Sequence, residues 1–264
     1  MEKKPLVGET GIKDQKLQMS FRASEKENQM RSDFHQLFRD SPIPGEQILV
    51  HLGLYLNRQT LSQLLFMHEM YQQILNVHGV VMEFGPRWGR NLALFQSFRG
   101  IYEPFNHNRK IIGFDTFEGF PSVDKTHDGG SELVNEGIFN VTANYEQYLE
   151  EVLSYHEQES PISHLKKFEI VKGDVMETLP AYLEKHPQTV IAMAYFDLDL
   201  YQPTKKCLQA IKKHITRGTV IGFDELNYDH FPGETLAFKE ELGLDKHKVR
   251  RSIYSGTSSY IVIE

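Results

Sequence analysis

One cysteine, Cys207, and one tryptophan, Trp88, are all that 264 residues carry of those two types. A lone cysteine excludes an intramolecular disulfide, and a reducing cytoplasm is the natural home of such a chain. Cys207 falls in a helical stretch over residues 203–214, where a packed thiol is the expectation and a nucleophile is not. Long hydrophobic runs are missing too. The longest, residues 190–196, is far short of the ~20 residues that span a bilayer. The polar start, Met1-Glu2-Lys3-Lys4-Pro5, leads into no apolar stretch of the kind a secretory signal needs. A soluble, cytoplasmic protein is expected. Lys and Arg total 29 against 36 Asp and Glu, a net charge of -7, and they are spread along the chain with no dense basic block. A nucleic-acid backbone is therefore a poor partner, no membrane is expected, and a small substrate fits better.

What is present is the balance of an ordinary globular protein, 40% hydrophobic and 25% charged residues. The length suits one large α/β domain. Residues 1–45 are polar and read as a mobile arm or loosely packed helices. A helical rhythm over 57–77 follows, with Leu61, Leu64, Leu65, Met67, His68 and Ile74 on a broad face. Short runs rich in Val, Ile and Phe then recur at 80–84, 110–114, 168–171, 190–196 and 219–223. They do not alternate strictly, as befits parallel strands buried on both faces. Helical stretches at 91–99, 146–156, 176–186 and 203–214 separate them, and two last strand-like runs, 248–254 and 258–264, form a hairpin. The expectation is a Rossmann-like, seven-stranded, mostly parallel sheet with an antiparallel C-terminal hairpin strand and helices on both faces. Residues 1–77 form an N-terminal arm and helices, a lid or a dimer contact. Residues 78–264 form the α/β domain, with an insertion at 121–159 expected to cover its ligand site.

Ligands of such sheets bind at the carboxyl ends of the strands, so the residues after each strand carry the chemistry. The first strand ends Glu83-Phe84-Gly85-Pro86-Arg87-Trp88-Gly89. Its two glycines allow a tight turn and a close backbone approach, and Glu83 suits a cationic or amino-acid-like cofactor better than a pyrophosphate. Asp115, after the second strand, can accept both hydroxyls of a ribose or cap the next turn. Asp174 can accept from an adenine amino group or serve as an N-cap with Glu177 at N3, and the residues leave this open. The fourth strand runs into Asp197-Leu198-Asp199-Leu200-Tyr201 and the fifth into Asp224-Glu225. An acid pair behind an apolar strand is costly unless it is used. Asp197, Asp224 and Glu225 would repel one another unless a cation joined them, and oxygen ligands favour Mg²⁺, Mn²⁺ or Ca²⁺ over zinc.

At these residues the sequence resembles the macrocin and mycinamicin (TylF-like) O-methyltransferase family, whose members methylate sugar hydroxyls in bacterial natural products. The resemblance rests on Glu83-Phe84-Gly85, Asp115-Thr116-Phe117-Glu118-Gly119-Phe120-Pro121, Gly173-Asp174 with Thr178-Leu179-Pro180, and Asp197-Leu198-Asp199-Leu200-Tyr201 with Thr204. It covers about residues 78–240 and departs at Glu225, which stands where the family usually carries a second aspartate. It implies a class I S-adenosylmethionine-dependent methyltransferase, with S-adenosylmethionine as donor, Mg²⁺ or another divalent cation, a sugar hydroxyl as acceptor, and a homodimer. The cofactor would then meet Glu83, Gly85, Arg87, Gly89, Asp115, Thr116, Phe117, Asp174 and Asp197. The metal would meet Asp197, Asp224 and Glu225, and Asp199 or His230 would take the acceptor's proton. A catechol-like acceptor, a non-catalytic cofactor-binding protein and a nicotinamide-dependent oxidoreductase are the rival readings.

Overall fold

The computed structural model describes residues 23–129 and 134–264. Seven strands form one sheet in the order β3-β2-β1-β4-β5-β7-β6. They are β1 (Val80–Phe84), β2 (Ile111–Asp115), β3 (Phe168–Lys172), β4 (Ile191–Phe196), β5 (Ile215–Phe223), β6 (Arg250–Arg251) and β7 (Ser259–Val262). The first five run parallel, and β7 is antiparallel to both of its neighbours. The strand order reverses between β1 and β4, which makes that crevice the place to look for a ligand.

The central strands read as unbroken apolar runs because each face of the sheet has its own core. Met82, Phe84, Phe114, Phe196 and Phe223 point to one side, against α5 (Val175–Lys185), α6 (Tyr201–Ile211) and α7 (Gly233–Glu241). Val81, Ile111, Tyr195 and Val220 point to the other, against α2 (Arg58–Gln73), α3 (Arg90–Tyr102) and α4 (Tyr145–Glu159). Successive residues of one strand therefore serve opposite cores. Cys207 is buried in the first core, and burial pushes its thiol well up, as a packed cysteine requires.

The described part of the arm begins with α1 (Glu25–Arg39). A capping box starts it: Ser24 Oγ accepts from Glu27 N–H, and the Glu27 carboxylate accepts from Ser24 N–H at 2.8 Å. No residue of α1 is buried. Residues 1–22, which complete the arm, lie outside the described residues.

Two features depart from the sequence reading. Helix α7 was not anticipated. It is short, starts on Pro232-Gly233, and packs over β4 and β5 through Ala237 and Phe238. The hairpin is present but its strands are shorter than expected, and Ser252–Ser258 closes the loop with a 2.9 Å backbone bond. Lys246, Lys248, Arg250 and Arg251 lie exposed in and before the edge strand β6, where they deter pairing with another sheet. Among the described residues no helix is long and apolar enough to cross a membrane.

Candidate active site

A cavity of about 520 Å³ opens at the carboxyl ends of β1, β2, β4 and β5. Nine of the residues singled out in the sequence line it: Gly85, Arg87, Asp115, Thr116, Asp174, Asp197, Asp199, Asp224 and Glu225. Glu83, Gly89, Phe117 and His230 do not. Gly85 takes φ 86°, and a Cβ there would stand 1.9 Å from the Asp197 carbonyl oxygen. Only glycine lets the β1 and β4 loops meet at the strand switch. At Gly89 the close neighbour is Leu149 of α4, 2.3 Å from where a Cβ would be, so the absence of a side chain there serves helix packing.

One half of the cavity is organised by Asp115. Its Oδ2 accepts from Arg87 N–H at 2.7 Å and its Oδ1 from Phe117 N–H at 2.6 Å. Arg87 and Phe117 both sit in the left-handed region, at φ 50° and 58°, a strain that the shared carboxylate helps to hold. Burial raises the Asp115 carboxyl, and the two backbone donors oppose that rise. Phe117 thus shapes Asp115 from outside the cavity wall. Of the two roles the sequence left open for Asp174, the structure shows the cap. The residue lines the cavity and caps α5, accepting from Met176 N–H at 2.9 Å. Glu83 is fully buried behind the wall. Its Oε1 accepts from Asn91 Nδ2 at 2.8 Å, its Oε2 has no partner, and burial pushes it up to about 7.

The other half holds acids. Asp197 and Asp199 after β4 face Asp224 and Glu225 after β5, and Glu234 of α7 joins them from beneath. Burial, and then repulsion from the neighbouring acids, drives Asp197, Asp199, Glu225 and Glu234 upward. Arg87 lies near enough to counter the rise at Asp199. Carboxylate oxygens are the donors that hard divalent cations take, and Glu225 Oε2 is buried without a partner, so the chemistry of the set fits such an ion. Among the described residues, however, no group of three His, Cys, Asp or Glu is already arranged as a metal cage.

Sequence reasoning missed three residues that hold these acids in place. Glu234, fully buried, accepts from Leu198 N–H at 3.2 Å and Glu225 N–H at 3.3 Å, bracing both acid loops. Tyr195 Oη donates to Asp224 Oδ1 at 2.8 Å, and Ser258 Oγ donates to the same oxygen at 3.2 Å. His230 stands off to the side, its Nε2 3.8 Å from Asp229 and its ring 5.3 Å from that of Tyr228. The neighbouring Phe231 reaches the cavity instead.

The insertion and the residue before it supply an aromatic roof. Phe120, Pro121 and Phe139 line the cavity, and the Arg87 guanidinium lies 5.0 Å over the Phe139 ring and 5.8 Å over Trp88. Its helix α4 is tied to the body by a buried ion cluster. Glu157 receives both Arg99 Nη2 bonds, at 2.9 and 3.0 Å, and Lys167 Nζ at 2.5 Å.

No protein-family model and no curated protein sequence matches the chain. Solved structures do. The calicheamicin methyltransferase CalS11 is 44% identical with a TM-score of 0.88, and the match covers 91% of this chain and 93% of that one. A second structure of CalS11, described as a TDP-rhamnose 3'-O-methyltransferase of calicheamicin biosynthesis, is 40% identical with a TM-score of 0.81 over 94% of this chain and 99% of that one. The chain belongs to the CalS11 family of S-adenosylmethionine-dependent O-methyltransferases. The O-methyltransferase NovP shares the fold, with a TM-score of 0.60 at 15% identity over 76% of this chain and 79% of its own. The family and the fold expected from the sequence are thus borne out for this enzyme.

Proposed function

We propose that the enzyme transfers a methyl group from S-adenosylmethionine to a hydroxyl of a nucleotide-linked sugar, assisted by a divalent cation. The observation that carries this reading is the joining, in one cavity, of the Asp115 half to a buried cluster of acids. The TDP-rhamnose acceptor named for CalS11 points to the substrate class.

S-adenosylmethionine supplies the methyl group, and a bound Mg²⁺ would lower the pKa of the acceptor hydroxyl. Asp115 would receive the ribose hydroxyls, with Gly85, Arg87, Thr116 and Asp174 along the cofactor's length. Glu83 would offset the cofactor's positive charge from behind the wall. Asp197, Asp224 and Glu225 are the residues to hold the cation. The oxygen–methyl bond would form as the donor's carbon–sulfur bond broke, and Asp199 would take the hydroxyl proton. Its place in the cavity makes Asp199 the better base of the two candidates, since His230 lies outside the lining. Alignment of the reacting atoms can supply roughly 7–11 kcal/mol of barrier reduction. Phe120 and Phe139 would exclude water from the sulfonium.

The described arm exposes Met30, Leu37, Leu49 and Val50, and no residue of α1 is fully buried, although its Phe34 and Phe38 pack on Tyr55. A helix of this length with so little of its surface covered is marginal in water. A second copy of the chain is the partner this reading assigns to it, and light scattering in solution reports the mass. The lone buried Cys207 fits a cytoplasmic location.

The deciding experiment is calorimetric titration with S-adenosylhomocysteine, with and without Mg²⁺, followed by mass spectrometry of TDP-rhamnose incubated with enzyme and donor. Micromolar binding and a product heavier by one methylene support the proposal. Full turnover of the Asp197→Ala variant in EDTA would remove the cation from it.

A further inference from the structure

Helix α6 begins immediately after the acid pair of β4, and it has no cap of its own. Its N-cap residue, Leu200, offers no side-chain acceptor to the first turn. The acceptor comes from the insertion. Asp128, only 1% exposed, accepts from Tyr201 N–H at 2.6 Å through Oδ1 and from Asp124 N–H at 2.8 Å through Oδ2. A carboxylate at a helix N-terminus both satisfies a free N–H and meets the positive end of the dipole.

The contact lies next to the chemistry. Tyr201 is two residues beyond Asp199, which is held at φ 62° in the left-handed region. Leu200, between them, packs with Phe231 and Val134 in a small core that Phe120 and Phe139 of the roof also join. The ring of His127 stacks on that of Tyr201 at 4.2 Å and 15°, and His127 Nδ1 lies 2.6 Å from Asp124 Oδ2. On the far side, Gly233 fits against Tyr201 N and Asp128 Oδ1 so closely that a Cβ would stand 2.4 and 2.8 Å from them. The turn that carries Asp199 is therefore gripped between the insertion and α7.

We propose that Asp128 is a positioning residue for methyl transfer: by capping α6 it fixes the backbone turn that aims Asp199 into the cavity and seats the aromatic roof over the acceptor. It touches neither cofactor nor acceptor. The proposal rests on the assignment of Asp199 as the base. A displacement of about 1 Å in such a group costs on the order of 100-fold in rate.

The test compares wild type, Asp128→Ala and Asp128→Asn, reading kcat and KM on TDP-rhamnose, the Kd for S-adenosylhomocysteine, and amide exchange of the segment 198–203. Asp128→Ala should lower kcat about 100-fold, leave the S-adenosylhomocysteine Kd within threefold, and speed exchange in that segment alone. Asp128→Asn keeps an acceptor for Tyr201 but sets an amide against Asp124 N–H, and it should recover at least tenfold of the lost kcat while staying below wild type. A wild-type kcat in Asp128→Asn, or a kcat loss matched by equal weakening of S-adenosylhomocysteine binding, overturns the proposal. Where Asp128→Ala does not fold, Asp128→Asn decides by the same two readings. Wild-type enzyme that binds S-adenosylhomocysteine but ignores TDP-rhamnose refutes the substrate class; unchanged exchange in the segment refutes the cap.

Discussion

Tyr195 Oη donates a 2.8 Å hydrogen bond to Asp224 Oδ1, so a residue of one central strand orients the acid that follows its neighbour. Both lie at the β4–β5 junction, and Tyr195 is buried in the core on the opposite face from Phe196. Outer partners of this kind set the direction of a metal ligand, and losing one weakens metal binding about 10–100-fold. Tyr195→Phe should raise the Mg²⁺ concentration for half-maximal activity by that factor while the melting temperature moves little. Activity titrated against Mg²⁺ reads the effect directly, and an unchanged midpoint would separate Asp224 from the cation.

Asp115 spends one bond from each oxygen on backbone N–H groups of the strained residues Arg87 and Phe117. Asp115→Asn removes the charge and forces an amide N–H toward one of those donors. Charge-assisted bonds are worth about 1.5–3 kcal/mol each, so affinity for S-adenosylhomocysteine should fall about 10–100-fold. Calorimetry measures it. Affinity equal to wild type would place the ribose elsewhere.

Glu83 makes a prediction about pH. Burial lifts its carboxyl from an ordinary value near 4.5 to about 7, so the folded state holds the proton where the unfolded state has released it. Its contribution to stability is complete below pH 4.5 and is lost as pH rises through 7. Glu83→Gln has no proton to lose. It should flatten this part of the pH dependence and be the more stable protein at pH 8 by on the order of 1–3 kcal/mol, at the cost of cofactor affinity. Urea denaturation at pH 5 and pH 8 checks the sign, and a wild-type slope in the variant would trace the pH dependence to other groups.

Glu157 offers a purely structural test. It is 4% exposed and holds both Arg99 and Lys167. Glu157→Ala strands two buried cations, a change that costs about 3–5 kcal/mol. Melting should drop by about 6–20 °C, read by differential scanning calorimetry. A loss under 2 °C would mean that water reaches the pair.

How much of this was written in the chain depends on whether a residue's neighbours are local. The five parallel strands are legible because Val81, Met82 and their counterparts must bury alternately into two cores, which leaves short runs that are mostly apolar. The acids after each strand are legible because strand ends fix where their side chains begin. Glu234 was not, since its place beneath Leu198 and Glu225 exists only once α7 has folded back over the sheet. Asp128 was hidden for the same reason: its partner N–H belongs to Tyr201, on another part of the chain. Gly89 was legible as a need for space, but the sequence does not say that Leu149 fills it. His230 shows the reverse case, a residue of suitable chemistry that the chain carries past the cavity while Phe231 enters it.

The upward shifts at Asp199, to about 7, and at Glu225, to about 10, mean that the acid cluster holds hydrogen ions more tightly than ordinary carboxylates do. Any cation seated there must evict them, and the evicted ions protonate the buffer. The heat of binding then includes the buffer's own enthalpy of ionisation. Titrations in phosphate and in Tris, matched in pH and ionic strength, should differ in enthalpy by that buffer term times the number of ions released. The same exchange would make the apparent affinity for such a cation climb as the solution becomes more alkaline, which would tie the proposed metal step to the acidity around it.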